Sequence, residues 1–321
     1  MLRKRVAVVA MSCLAACSDR ALLQDEGGCY RVVADGAFAA LAGPLARGEV
    51  DAVVVLDGDG SRLRTEPAWP KGQRTPLVVG IGEPADTATD PDALVVAATG
   101  ADVAIDLALL TMNGIAIPPR LPIGTTLVTA PNRAAGGQRE PAPGDAIVAL
   151  LRRQYAAVLT TQPATDEIHH IALVCWRDDD PWQQRVRADA TAAAKRYPQV
   201  ELHVRCADGD AERQREAAKL LADEGARAVL VSVPTPASLA PLAADLRPRN
   251  VALIVLGAAS GCDQATCCVG TEPAMLGRAA ALGVRALLPE RAALALTYTT
   301  ADPDIAARER GFVDALALRR R

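Results

Sequence analysis

Aromatic residues are scarce in this 321-residue chain: two Phe, three Trp and four Tyr, 3 % of the total. With half of the residues hydrophobic and 23 % charged, the core is expected to be aliphatic and Ala-rich. Positive charge is not in excess: 35 Lys and Arg face 38 Asp and Glu, for a net charge of −3. That excludes the basic face that a nucleic-acid partner needs. The closing Arg319–Arg321 run reads as a solvated tail. Histidine occurs three times, at His169, His170 and His203, and without clustered acids no metal site is expected. No Gly-x-Ser-x-Gly elbow, phosphate-binding Gly-x-x-x-x-Gly-Lys-Ser/Thr loop or His-Glu-x-x-His is present. No enzyme activity and no cofactor are therefore expected.

What the chain has is alternation. Apolar runs Ile171–Cys175, Val200–Val204, Ala228–Val233 and Val251–Leu256 are separated by helical windows at 186–197, 211–224 and 237–246. Runs of five or six residues between windows of ten to fifteen predict βαβ units and a parallel sheet covered on both faces. Ligands of such sheets bind beyond the carboxyl ends of the strands. The loop after the first run holds Asp178, Asp179, Asp180, Trp182 and Gln183. A dinucleotide fold would need glycines there, and three aspartates would repel a pyrophosphate.

Several segments resemble type I periplasmic solute-binding proteins, the ribose- and galactose-binding group. Asp180–Gln183 stands where that family has an Asn-Pro-Phe-Phe-like motif. Lys195–Tyr197 and Leu220–Pro234 resemble the end of its first helix and its second helix with third strand. "CVGTEPAMLGRAAALGVRALLPE" and "DIAARERGFVDAL" are similar to later family segments. The resemblance covers most of residues 168–318. It implies two lobes, each a parallel sheet flanked by helices. A transcription regulator shares this ligand-binding fold but would carry an N-terminal helix-turn-helix.

The N-terminus offers an export signal in that place. Arg3, Lys4 and Arg5 precede the apolar stretch Val6–Ala16, which is too short to span a bilayer. Leu14-Ala-Ala-Cys17 resembles a bacterial lipobox, which implies lipidation of Cys17 and anchoring on the periplasmic face of a membrane. Ser18 after the cysteine favours the outer membrane. Residues 18–28 read as a tether.

Residues 29–130 give a second α/β run. Strands are expected at Tyr30–Val33, Ala52–Leu56, Leu77–Ile81, Ala93–Ala97 and Gly124–Val128, and helices at Ala37–Arg47 and Ala101–Met112. "GEVDAVVVLDGDG", "PLVVGIGEP" and "ADVAIDLALLTMNGIAIPPRLPIGTTLVTAPN" resemble the last third of the same family. The family order is thus inverted, which implies circular permutation. Residues 29–98 are assigned to the second lobe and 99–130 to a return segment reaching the first. Residues 131–167 form a linker with a helix at about 145–159. Residues 168–290 are the first lobe, and 291–321 the start of the second lobe and a tail. Two degenerate half-domains packed some other way are the alternative.

The resemblance implies ligand contacts from Asp179, Asp180, Trp182, Gln183, Asp57 and Arg308. Other family contacts are replaced. Gly257-Ala258 stands for an Asp-Arg pair, Ile81-Gly82 for Phe-Asp, Ala98 for Gln, and Val233 for a polar residue. The ligand is then a small polar solute, sugar-like or other, held between the lobes for an ABC permease or a sensor. The alternative is a surface-anchored interaction module that has lost the ligand. Asp57-Gly-Asp-Gly60 lacks the Glu of a calcium loop and reads as a turn. Six of the eight cysteines follow Cys17, which suits disulfides in an exported chain. Cys262 with Cys267 and Cys175 with Cys206 are the expected pairs.

Overall fold

The computed structural model describes residues 8–9, 32–33, 45, 47–48, 50–56, 63, 69, 75–83, 91–160, 168–232, 238–257, 262–288, 294–297 and 303–317. In chain order the strands are β1 (Val8–Val9), β2 (Val32–Val33), β3 (Ala52–Val55), β4 (Leu77–Ile81), β5 (Ala93–Ala97), β6 (Arg120–Pro122) and β7 (Thr125–Thr129). They continue as β8 (Gln138–Glu140), β9 (His169–Cys175), β10 (Val200–Cys206), β11 (Ala228–Ser232), β12 (Ala252–Leu256), β13 (Cys267–Gly270) and β14 (Leu294–Thr297). The helices are α1 (Ala101–Met112), α2 (Pro143–Gln154), α3 (Ala156–Thr160), α4 (Pro181–Ala194), α5 (Ala211–Asp223), α6 (Leu239–Leu246), α7 (Pro273–Leu287) and α8 (Pro303–Ala317).

Two compact units result. Unit 1 holds residues 1–97, 125–140 and 273–321, and unit 2 holds 98–124 and 141–272. The sheet of unit 2 runs β10-β9-β11-β12-β13-β6, with every neighbour pair parallel. One face packs on α1 and α4 through Ile105, Leu107, Val186, Ile171 and Leu173. The other packs on α5 and α6 through Leu221, Leu239, Leu242, Val174 and Val229. Coverage on both sides is why β11, β12 and β13 are buried at every position. At the edge, β10 is half-exposed and carries polar residues. Local chemistry starts the helices. Asp180 accepts from the Gln183 N–H at 2.9 Å ahead of Pro181, and Asp210 accepts from the N–H groups of Glu212 and Arg213.

A buried carboxylate ties α1 to α2 and to the segment that follows α4 in unit 2. Asp106, 3 % exposed in the middle of α1, accepts from Arg152 Nε of α2 at 2.6 Å and from the Tyr197 hydroxyl beyond α4 at 2.5 Å. Burial and the neighbouring Asp106 carboxylate push the Tyr197 phenol well above its usual range.

The sheet of unit 1 runs β14-β3-β4-β5-β7-β8. Its first four strands are parallel, but β7 is antiparallel to β5 and β8 to β7. The expected parallel sheet is the four strands β14, β3, β4 and β5, and β7 and β8 extend it antiparallel. A short connection suffices for antiparallel neighbours. Asn132 shapes it by accepting from the Thr129 N–H at 2.7 Å and donating to the Leu127 carbonyl at 3.1 Å. Helices α7 and α8 cover one face. They cross where Gly277 meets the Arg308 carbonyl and Gly311 meets that of Ala274, leaving no room for a Cβ. Leu45, Val50 and Trp69 pack on the other face.

The assignment of residues to units differs from the sequence expectation at several places. Helix α7, within the stretch 168–290 expected to be the first lobe, groups with unit 1. The expected linker supplies β8 to unit 1, and α2 and α3 to unit 2. The helix expected at 145–159 divides at Tyr155. Of the expected leader, Val8 and Val9 lie among the described residues and pair in parallel with Val32 and Val33. Cys17 and most of the expected helix 37–47 lie outside them. Among the described residues no helix is long and apolar enough to cross a membrane.

Candidate functional site

In the unit 2 sheet the chain leaves β9 for α4 on one face, and leaves β11 toward α6 on the other. The strand order therefore reverses beside β9, and a ligand crevice is expected beyond the carboxyl ends of β9 and β11. Side chains bridge those ends. Gln183 is 7 % exposed, and its Oε1 accepts from the Ser232 hydroxyl at 2.5 Å and the Trp176 N–H at 3.2 Å. Gln214 donates to the carbonyls of Ser232 at 2.7 Å and Val174 at 3.4 Å. Neither glutamine was singled out for bracing. A buried amide inside a helix is the signal that could have found Gln214.

The acids of the preceding loop are also engaged. The Asp180 carboxylate caps α4. Asp179 takes a two-point contact from Arg177, at 2.8 and 2.7 Å, which holds its carboxyl below the usual range. Asp178 pairs with Arg187. Trp182 is half-buried at the start of α4, with its indole edge on Gly257 just past β12. Gly257 has φ +84°, and a Cβ there would stand 2.5 Å from Trp182 Cη2. The missing Cβ of Gly257 thus gives the indole its seat.

In unit 1, Arg308 of α8 donates through Nη1 to the Leu56 carbonyl at 2.6 Å, directly after β3. Asp57 lies outside the described residues.

The disulfide joins Cys262 to Cys268, not to Cys267. Consecutive residues of a strand point to opposite faces. Cys268 shares the α5–α6 face with Cys262, while Cys267 points into the α1–α4 core. Cys175 and Cys206 are register partners at the ends of β9 and β10, and both are free thiols. Burial pushes Cys175 up to about 11 and Cys267 up to about 12.

The start of the same two strands brings together three polar side chains, two of them from β10 and one from β9. His170 Nδ1 and His203 Nε2 are 2.9 Å apart, with Glu201 Oε2 3.6 Å from the first and Oε1 3.8 Å from the second. Register sets His170 opposite Glu201, which lies two residues before His203 on β10. Elsewhere at the amino ends, an open cavity of about 370 Å³ lies between Arg227, Arg247, Asn250 and Thr266.

Each of the two units is thus an α/β sheet flanked by helices. The profile of the family described as periplasmic binding protein domain matches residues 171–318. No curated protein matches the chain. Among solved structures, one similar chain is an ABC transporter solute-binding protein from Mycobacterium smegmatis with bound glycerol. Identity is 19 %, 47 % of this chain and 52 % of that one are covered, and the TM-score is 0.37. The match therefore spans about half of that protein's length. Another is a glucose-galactose binding protein from Geobacillus stearothermophilus, with 10 % identity over 86 % of this chain and 85 % of that one, TM-score 0.43. A third is a carbohydrate transporter solute-binding protein from Agrobacterium radiobacter in complex with D-arabinose. It has 13 % identity over 90 % and 78 %, TM-score 0.39.

Proposed function

We propose that the chain is an exported binding protein for a small polar solute, anchored through a lipid on Cys17 and serving an ABC permease or a sensor. The observation that carries the reading is the family match over residues 171–318, whose first strand and helix bring Trp182 to the carboxyl ends of the unit 2 sheet. A half-buried indole there offers an apolar face for a ligand to stack on, while Asp179 keeps lone pairs exposed to solvent. Circular permutation belongs to the same reading. The match ends with β14 and α8 of unit 1, yet β3, β4 and β5, which extend that sheet, precede the match in the chain.

A second reading is favoured by a specific observation: Asp180, Gln183 and Trp182 are already occupied by a cap, a brace and a glycine seat. A surface-anchored interaction module that has lost its ligand accounts for that occupancy. A thermal-shift screen of sugars, polyols, nucleosides and amino acids separates the two. A ligand at about 100 times its Kd stabilises the fold by roughly 2.7 kcal/mol. A screen in which no compound raises Tm removes the receptor reading and leaves the module.

A further inference from the structure

We propose that His170, Glu201 and His203 form a binding site for a divalent first-row transition metal ion of the zinc class. Strand pairing builds it. Glu201 of β10 is the register partner of His170 of β9, and His203 stands two residues along β10 from Glu201. Residues i and i+2 of a strand share a face, and a directly opposed residue on the neighbouring strand shares it too. The three side chains therefore converge with no loop between them, on rigid elements.

The donor set suits the metal. Two imidazole nitrogens and one carboxylate are first-row N/O ligands, and two-His-one-Glu with an open position is a zinc arrangement. The donor atoms all lie within 4.8 Å of one another. Ligands about 2.0–2.1 Å from a tetrahedral zinc stand about 3.3 Å apart. The separations of 2.9, 3.6 and 3.8 Å bracket that figure. The two nitrogens stand 2.9 Å apart, and a metal ion would be held by both rings in their neutral form. Side-chain exposures of 36 %, 56 % and 35 % leave an entry path and room for water as the remaining ligand. The nearest cation on that strand, Arg205, is engaged by Glu224 at 3.6 Å, so Glu201 is left to the site.

This site lies at the amino ends of the strands. Five residues of β9 separate His170 from Cys175, about 17 Å at the usual strand rise. Metal binding here is therefore independent of the solute proposed at the carboxyl ends.

The test uses the full chain, purified without a histidine tag and titrated with Zn²⁺ by calorimetry and with Co²⁺ by absorption. One ion per chain is expected, with a Co²⁺ spectrum lacking thiolate charge transfer, since the thiols of this chain are the competing donors. His170→Ala, His203→Ala and Glu201→Gln should each weaken binding at least about tenfold, because even outer-shell changes at metal sites cost that much. His169→Ala, on the other face of β9, should leave it unchanged. Circular dichroism checks folding, and the near-isosteric Glu201→Gln keeps the test open if a histidine variant misfolds. A wild-type chain that binds neither ion overturns the proposal. So does wild-type affinity in Glu201→Gln and in the histidine variants.

Discussion

The indole of Trp182 rests on the backbone of Gly257, at the carboxyl end of β12. Gly257 is left-handed, with φ +84°, and its missing Cβ is what the ring occupies. Gly257→Ala therefore combines a conformational penalty of about 1–2 kcal/mol with displacement of the ring. Urea unfolding should show a loss of about 1–3 kcal/mol. Tryptophan emission should shift as the indole moves. Unchanged stability and emission would contradict the contact.

The crossing of α7 and α8 in unit 1 allows no side chain at Gly277, where a Cβ would run into the Arg308 carbonyl. Backbone cannot yield as a flexible side chain does. Gly277→Ala should cost about 1–3 kcal/mol or more, read as a lower urea midpoint. Ala279→Gly, two residues along α7 and buried, should cost only about 1 kcal/mol through propensity and a lost methyl.

The Asp106 network links α1 to α2 and to Tyr197. Asp106→Ala leaves Arg152 and the Tyr197 hydroxyl without their shared acceptor. The expected loss is about 2–4 kcal/mol, below the figure for a fully buried pair because Arg152 is 39 % exposed. A double-mutant cycle with Tyr197→Phe should return a coupling of about 0.5–3 kcal/mol. Additivity would show that the two groups do not act together.

Thiol chemistry gives a prediction in alkali. Cys175 and Cys267 keep their protons in the fold up to about 11 and about 12, above the ordinary thiol value of 9.0. Between those values the fold binds more protons than the unfolded chain, so stability falls as pH rises. The contribution is complete below about pH 9 and lost by about pH 11 to 12. Cys175→Ala with Cys267→Ala should flatten the decline between pH 9 and pH 11. At pH 8 neither thiol should react with a disulfide reagent before unfolding. Fast labelling of Cys267 would contradict its burial.

Much of unit 2 was legible because parallel strands covered on both faces leave unbroken apolar runs. β9, β11 and β12 fall on the runs beginning at Ile171, Ala228 and Val251 to within two residues at either end. Helix α1 was legible for a similar reason: it is buried almost all round. The strands β6 and β8 were not, since Arg120–Pro122 and Gln138–Glu140 have no apolar pattern and exist through pairing, with β13 and β7 respectively. The site residues Trp182 and Asp180 were found by their place after a strand, but what they touch was not. Asp180 as a cap follows from Pro181 beside it. The seat on Gly257 and the Gln183–Ser232 brace depend on strand order. Cys268 in place of Cys267, and Glu201 between two histidines, depend on which face a residue takes. Register decides that, and register is a property of two strands.

The most direct test of solute binding makes Trp182 the reporter. With Trp69→Phe and Trp176→Phe in place, Trp182 is the chain's remaining tryptophan. Its emission is then followed while each sugar, polyol, nucleoside and amino acid of the screen is titrated in. The account predicts a saturable change with at least one compound, abolished at the same concentrations when Asp179→Ala removes the exposed carboxylate and weakens binding. A flat response to every compound, with Tm equally unmoved, would contradict it.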